Sequence, residues 1–236
     1  RRGIRQSFDA ATAGCEIVIR NLILSGGIYH PFAETSASIA AQLGATGITS
    51  EICSVPDGLK RLQTETFDLV CVNALAFSMT QAEKYAPLRG QYAFEIDAAG
   101  TAALQRHTAS GRGLLGLHTA PICFDTWDGW GDLLGVRWVW GQSGHPMPDY
   151  LDVTHHNKSF RIWDELYGGL ELHAETEVLA TASLAFGGRS NPIMTAKRNA
   201  VYLALGHDLT SVSSPNYSAM LQSAAQLALQ PQEERV

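Results

Sequence analysis

The chain has 236 residues, of which 45% are hydrophobic and 17% charged, and a formal net charge of −6. Such a composition fits one well-buried domain, or one with an elaborated edge, and leaves two small domains open. There is no Lys/Arg block to meet phosphates, which argues against nucleic acid, and no apolar run approaches the roughly 20 residues that span a bilayer.

The first sixteen residues are small and polar and read as a loose arm, so residues 17–230 are expected to form a single domain. Glu16 to Ser25 reads as a buried strand closed by Gly26-Gly27. A helix follows over Ala33 to Leu43, with Ile39 and Leu43 four apart and Gly44 as its stop. Gly47 to Ser54 reads as a second strand, Leu59 to Gln63 as a helical turn or two, and Phe67 to Val72 as a third strand. Residues 74–93 carry no clean period. From Phe94 to about Ser110, positions Ile96, Ala99, Ala103, Leu104 and His107 trace one helical face, ended by Gly111 and Gly113.

The run Leu114 to Leu117 then reads as a strand that stops at His118 and breaks at Pro121. Trp127 to Gly135 reads as holding a short helix. Val136 to Trp140 and Tyr150 to Thr154 are expected as strands of a side layer. Val178 to Ala182 and Pro192 to Ala196 read as further strands, before the run Val201 to Asp208, which ends on His207. In the last helix Ser214 is the N-cap, Pro215 takes the first position, and Tyr217, Met220, Leu221, Ala224, Leu227 and Ala228 form a core stripe. Strand–helix alternation through the first half predicts a parallel sheet with crossover helices.

In such a sheet, residues just past the carboxyl ends of strands line the ligand crevice. His118 and His207 both hold that position, and their convergence is expected. His30 follows the first strand in Ser25-Gly-Gly-Ile-Tyr-His30, where a tight turn is the alternative reading. G-x-G-x-x-G is absent, so a nicotinamide cofactor has no support. His107 and His173 read as structural or solvent-facing. His145, His155 and His156 fall in loops.

The four cysteines, Cys15, Cys53, Cys71 and Cys123, form no C-x-x-C pair. Cys53 and Cys71 read as small buried hydrophobes, and nothing resembles a disulfide framework. No signal peptide is visible, although the sequence starts without Met, and a reducing cytoplasm is the expected compartment.

Gly116-Leu-His-Thr-Ala120 at the end of a strand resembles the nucleophile elbow of class I glutamine amidotransferases, with histidine in the cysteine position. Gly206-His207-Asp208 resembles their triad-histidine segment. The chain is more similar to the ThuA-like, or trehalose-utilisation, branch of that fold. The matching pieces are Ser25-Gly-Gly27 with His30, Gly113 to His118, Gly144-His-Pro146, Asp164-Glu-Leu-Tyr167 and Leu205-Gly-His-Asp208. One departure is His155-His156-Asn157, where the family has a His-Pro pair.

The resemblance implies a three-layer α/β sandwich with a mostly parallel, flavodoxin-like central sheet. It implies a role on trehalose-type disaccharides or their keto derivatives, and it raises Glu165 to a site candidate. A thioester route needs a thiolate at the elbow, which His118 cannot supply and Cys123, beyond Pro121, is not placed to replace. Two imidazoles suit general acid–base work, with His118 and His207 as the catalytic pair. His30, His145, Glu165 and Trp127 are then the substrate-binding candidates, Trp127 near the mouth and Trp138 and Trp140 in the core. No cofactor is evident. The side chains allow a divalent metal, but no H-E-x-x-H spacing calls for one. A non-catalytic sugar- or partner-binding module and a metal-assisted hydrolase are the alternatives, and a homo-oligomer is left open.

Overall fold

Leu22, Ile23 and Leu24 lose all contact with water, and so does every residue from Leu69 to Val72. Near-continuous apolar runs of this kind are what a parallel sheet covered on both faces demands. The computed structural model describes residues 18–155 and 158–230. The expected arm over residues 1–16 lies outside them, as do Cys15, His156 and Asn157.

The first half alternates as expected: β1 (Ile19–Gly26), α1 (Phe32–Gly44), β2 (Ile48–Ser54), α2 (Val55–Thr64) and β3 (Leu69–Ala74). α2 is longer than the expected turn or two. Ser54 caps it by accepting from the Asp57 N–H, and Pro56 sits in its first turn. The stretch without clean periodicity holds a 3-10 turn (Glu83–Tyr85) and α3 (Ala86–Tyr92). α4 (Ala98–Ala109) starts four residues later than Phe94, because the Asp97 carboxylate accepts from the Gly100 N–H at 2.7 Å and fixes the start. That shift puts Gly100, not Ala99, on the buried face.

β4 (Gly113–Leu117), α5 (Gly129–Leu134) and β5 (Val136–Arg137) follow. The rest of the chain supplies β6 (Asp149–His155), β7 (Lys158–Asp164), β8 (Glu171–Leu172), β9 (Glu177–Leu184), β10 (Asn191–Lys197) and β11 (Ala200–Leu203). It closes with α6 (Leu209–Val212) and α7 (Pro215–Leu229). Ser214 caps α7 through the Asn216 N–H.

The nine-stranded sheet runs β2-β1-β3-β4-β11-β10-β9-β6-β7. β2, β1, β3, β4 and β11 are parallel, in the flavodoxin-like order. The remaining pairings are antiparallel. α1, α6 and α7 pack together on one face; α2 and α4 pack on the other, where α5 joins α4 around a shared cleft. The fold is therefore the three-layer α/β sandwich.

The expected side layer is corrected. Only β5, with β8, forms a separate two-stranded sheet. β6 belongs to the main sheet, because it pairs with β9 on one side and with β7 on the other. β7 mixes polar and apolar residues and buries only Ile162 and Asp164. This wing curls until β7 packs against α6 and α7, which returns Asp164 and Glu165 to the parallel half.

Candidate active site at the carboxyl edge

Each parallel strand that borders the site ends differently, and each ending aims a side chain. After β1, Gly27 lies at φ +135°, and a Cβ there would sit 2.7 Å from the Leu75 carbonyl oxygen. Only glycine lets these two loops cross so closely. Three residues on, the His30 Nδ1 meets the Ile28 carbonyl at 3.2 Å.

After β4, His118 adopts φ +45°, a left-handed conformation that costs a non-glycine residue about 1–3 kcal/mol. Four contacts hold it there. Its N–H bonds the Leu203 carbonyl at 2.8 Å, its carbonyl accepts from the Tyr202 hydroxyl at 2.9 Å, and its Nδ1 meets the Ala204 carbonyl at 2.8 Å. The neighbouring Thr119 hydroxyl donates to Ala74 at 2.6 Å. β11 ends at Leu203, four residues before His207, and Gly206 at φ +118° makes the turn between them.

Asp164 ends β7 with no exposed surface and organises the turn. It accepts from the Gly206 N–H at 2.7 Å, the Glu165 N–H at 2.8 Å, the His207 N–H at 3.2 Å and the Ser211 hydroxyl. Burial pushes its pKa up, while these donors pull the other way.

The result is a tight cluster. The His30 and His118 Nε2 atoms lie 3.1 Å apart. Glu165 Oε2 lies 3.5 Å from His118 Nε2 and 3.4 Å from His207 Nδ1, while its Oε1 lies 3.2 Å from His145 Nδ1. The Tyr167 hydroxyl approaches His118 Nε2 at 3.3 Å. His30, His118, His207, Glu165 and His145, separate in the sequence, are brought together.

Burial pushes the Glu165 carboxyl up, but its contacts with His118, His145 and His207 outweigh that and hold it well below the usual carboxylate range. The same carboxylate raises the His145 and His207 imidazoles against partial desolvation. His30 moves the other way, to about 4, because burial and the neighbouring His118 disfavour its charged form. One cluster therefore contains an ionised carboxylate, two imidazoles biased toward protonation and one biased toward neutrality. Opposed shifts in a small space are characteristic of functional sites.

His145, with 36% of its side chain exposed, borders two clefts of about 350 and 340 Å³. The second is aromatic, with Tyr29, Phe77, Tyr85, Trp138 and Trp140 in its wall. A larger cavity of about 600 Å³ lies at the opposite, amino edge of β4 and β11, lined by Asp132 and Lys197, far from the cluster.

The tryptophan expectations are corrected in part. Trp127 lines a neighbouring cleft with Asp125 and Arg137, which shares the Trp138 and Trp140 walls with the aromatic one, because the turn after Pro121 folds it onto Trp130, 6.2 Å between ring centroids. The ring beside the cluster is Trp138, 5.4 Å from Tyr167 and 6.5 Å from His145. Trp140 is 38% exposed and stacks on Phe77 rather than filling core. His107 is structural, as expected, with its Nε2 on the Gly113 carbonyl at 2.7 Å.

The ThuA family model, described as trehalose utilisation, matches residues 24–228. The chain belongs to the ThuA family. Among solved structures it is similar to a ThuA-like protein from Parabacteroides merdae, with a TM-score of 0.66, 14% identity and 90% of each chain covered. A ThuA-like protein from Bacteroides uniformis gives a TM-score of 0.55 at 15% identity, over 89% of this chain and 91% of that one. A Thermoplasma acidophilum protein described as a GMP synthase subunit gives 0.53 at 9% identity, over 89% and 94%. At these identities the likeness shows the fold alone. By sequence, no curated protein matches the chain.

Two residues of this ThuA site were not singled out individually from the sequence: Asp164, which anchors the His207 turn, and Tyr167, which stacks on His145 with ring centroids 5.1 Å apart. Both flank Glu165 in the Asp164-Glu-Leu-Tyr167 string. That motif was legible as a unit, but not the division of labour inside it.

Proposed function

We propose that this ThuA-family chain is an enzyme of carbohydrate utilisation, acting on a trehalose-type disaccharide or its keto derivative by proton transfer. The observation that carries this reading is the convergence of His30, His118, His207, His145 and Glu165 at the carboxyl edge, beside an aromatic cleft. Aromatic faces suit the apolar faces of pyranose rings, and about 340 Å³ is the scale of a small-ligand site.

A keto group makes the neighbouring C–H acidic. A base takes that proton, the electron pair forms a carbon–carbon double bond, and the C–O bond to the leaving oxygen breaks as an acid protonates it. Isomerisation uses the same first step and returns the proton elsewhere. Neither needs a redox cofactor.

Access divides the roles. His118 is 1% exposed with Nδ1 committed to Ala204, so we assign it to positioning His30 and Glu165, and the more exposed His30 to holding a sugar oxygen. The half-buried imidazoles His207 and His145 share Glu165 and carry the protons. Thiol chemistry has no place here: the buried Cys123 donates to the Ala74 carbonyl, and burial pushes its thiol up to about 12. Among the described residues no helix is long and apolar enough to cross a membrane, and we propose a cytoplasmic enzyme working on a diffusible sugar.

The test is turnover of trehalose and its 3-keto derivative by the purified chain, followed by chromatography. Turnover that falls on the order of 10²–10⁴-fold in His145→Ala supports the assignment. Saturable sugar binding without turnover would convert the reading to a binding module.

A further inference from the structure

We infer that His30 Nε2, His118 Nε2, His207 Nδ1 and Glu165 Oε2 form a binding site for one divalent transition-metal ion of the zinc type. The inference deepens the proposed sugar chemistry of the same site, but it rests on geometry that needs no sugar.

The first argument is tautomeric. A ring nitrogen facing a backbone carbonyl must carry the hydrogen, because a carbonyl only accepts. His118 Nδ1 faces the Ala204 carbonyl at 2.8 Å, and His30 Nδ1 faces the Ile28 carbonyl at 3.2 Å. Both Nδ1 atoms are therefore donors, and in the neutral rings both Nε2 atoms present lone pairs. Those two lone-pair atoms are 3.1 Å apart. Lone pairs held this close repel unless a positive species lies between them.

The second argument is the orphaned atoms. Glu165 Oε2 and His207 Nδ1 are both buried without a hydrogen-bond partner. A buried polar atom left unmet costs about 1–3 kcal/mol, and more when charged. These two atoms face each other at 3.4 Å, and Glu165 Oε2 faces His118 Nε2 at 3.5 Å. All four donor atoms lie within 4.8 Å of one another.

The third argument is metric. Zinc bonds nitrogen and carboxylate oxygen at about 2.0–2.2 Å, so the edges of a tetrahedral ligand set are about 3.3 Å. Three of the six separations, 3.1, 3.4 and 3.5 Å, match such edges, and all six are within 4.8 Å. The supporting contacts are those that metal sites use: backbone carbonyls on the far nitrogens of two histidines, and a fourth histidine, His145, on the far oxygen of the carboxylate. Three imidazoles with one carboxylate favour zinc and its neighbours over magnesium or calcium, which prefer all-oxygen sets.

His30 and His207 are only partly buried, so a sugar hydroxyl or carbonyl reaches the ion from their side. With an ion held there, His207 would be a ligand, the ion would supply polarisation of a sugar oxygen, and His145, which meets Glu165 at Oε1 rather than at Oε2, would remain the proton carrier.

The experiment is calorimetric titration of chelator-stripped full-length protein with Zn²⁺, without sugar. One Zn²⁺ per chain is expected, with affinity reduced at least 10-fold in Glu165→Gln and in His30→Ala and unchanged in His173→Ala, a remote histidine. Co²⁺ added to the wild type should give the visible absorption of a low-coordinate, imidazole-ligated ion, a readout that does not depend on any variant folding. No stoichiometric uptake, no such spectrum, or undiminished affinity in folded Glu165→Gln and His30→Ala would overturn the site. Sugar turnover by protein that takes up no metal would leave the acid–base reading standing alone. Metal uptake without turnover of any disaccharide would do the reverse.

Discussion

Asp164→Asn isolates the device that places His207. The wild-type carboxylate accepts four bonds with no water in reach: Gly206 N–H and the Ser211 hydroxyl on Oδ2, Glu165 and His207 N–H on Oδ1. The amide keeps the shape but replaces one acceptor oxygen with a donor. If the NH₂ takes the Oδ2 position, it meets the Gly206 N–H at 2.7 Å, donor against donor. If it takes the other, it meets two N–H groups. Losing a charge-assisted bond costs about 1.5–3 kcal/mol, and stranding a buried donor about 1–3 more, so we expect a loss of about 4 kcal/mol. At about 2–4 °C per kcal/mol for a chain of this size, the thermal midpoint falls by about 8–16 °C. Circular dichroism melts of wild type and variant measure this directly. Ser211→Ala, which removes one donor and keeps the carboxylate, should lose less than half as much. A midpoint within about 2 °C of wild type for Asp164→Asn would refute the argument that this carboxylate anchors the turn.

Three further outcomes are expected. Cys123→Ser should keep near-wild-type turnover, because serine can repeat both the donation to the Ala74 carbonyl and the acceptance from the Ala76 N–H; native Cys123 should resist iodoacetamide at pH 8, since a thiol raised to about 12 stays protonated there. Rapid labelling with loss of activity would contradict this. Gly27→Ala places a Cβ 2.7 Å from the Leu75 carbonyl oxygen at a strained φ, and should cost about 2–5 kcal/mol in urea unfolding; an unchanged midpoint would show that the loops can part freely. His118→Ala should lower turnover by on the order of 10²-fold while remaining folded, because it removes a positioning group and not a proton carrier, and wild-type turnover in that variant would remove His118 from the site.

The parallel half of the fold was legible because its signals are local. Buried strands such as Leu69–Ala74 are unbroken apolar runs, and Ser214-Pro215 announces α7 with its own cap. In the antiparallel wing β6, β9 and β10 were legible as strands over Tyr150–Thr154, Val178–Ala182 and Pro192–Ala196, but their membership of the main sheet was not, and β7 was not legible at all. In β7, Phe160 and Ile162 alternate with Ser159 and Arg161, but Lys158 and Asp164 share the parity of the apolar pair, which leaves a weak period-2 pattern in seven residues. The same gap hid part of the site. That His30, His118 and His207 share an edge follows from strand order. That Glu165 joins them does not, because it depends on a wing curling back through contacts made by α6 and α7. Trp127 was placed at the mouth from proximity in sequence to His118, yet the turn after Pro121 directs it onto Trp130, and Trp138 beyond it takes the place beside Tyr167.

The strand end at His118 shows how its backbone is fixed separately from its side chain. A left-handed, non-glycine residue at a strand end persists only when its surroundings over-determine it. Here the Leu203 and Ala204 carbonyls and the Tyr202 hydroxyl all engage His118, and all three belong to β11 or its exit. The strain therefore does not depend on a nucleophile. It aims whatever side chain stands at that position into the crevice, and two of those contacts would hold the backbone for any residue. The third, from Ala204 to Nδ1, is made only by an imidazole, and it turns Nε2 toward His30 and Glu165. The elbow thus presents a nitrogen lone pair to the crevice. Its partners in the crevice are other imidazoles and a carboxylate, not the buried Cys123, which points its sulfur back at the Ala74 carbonyl.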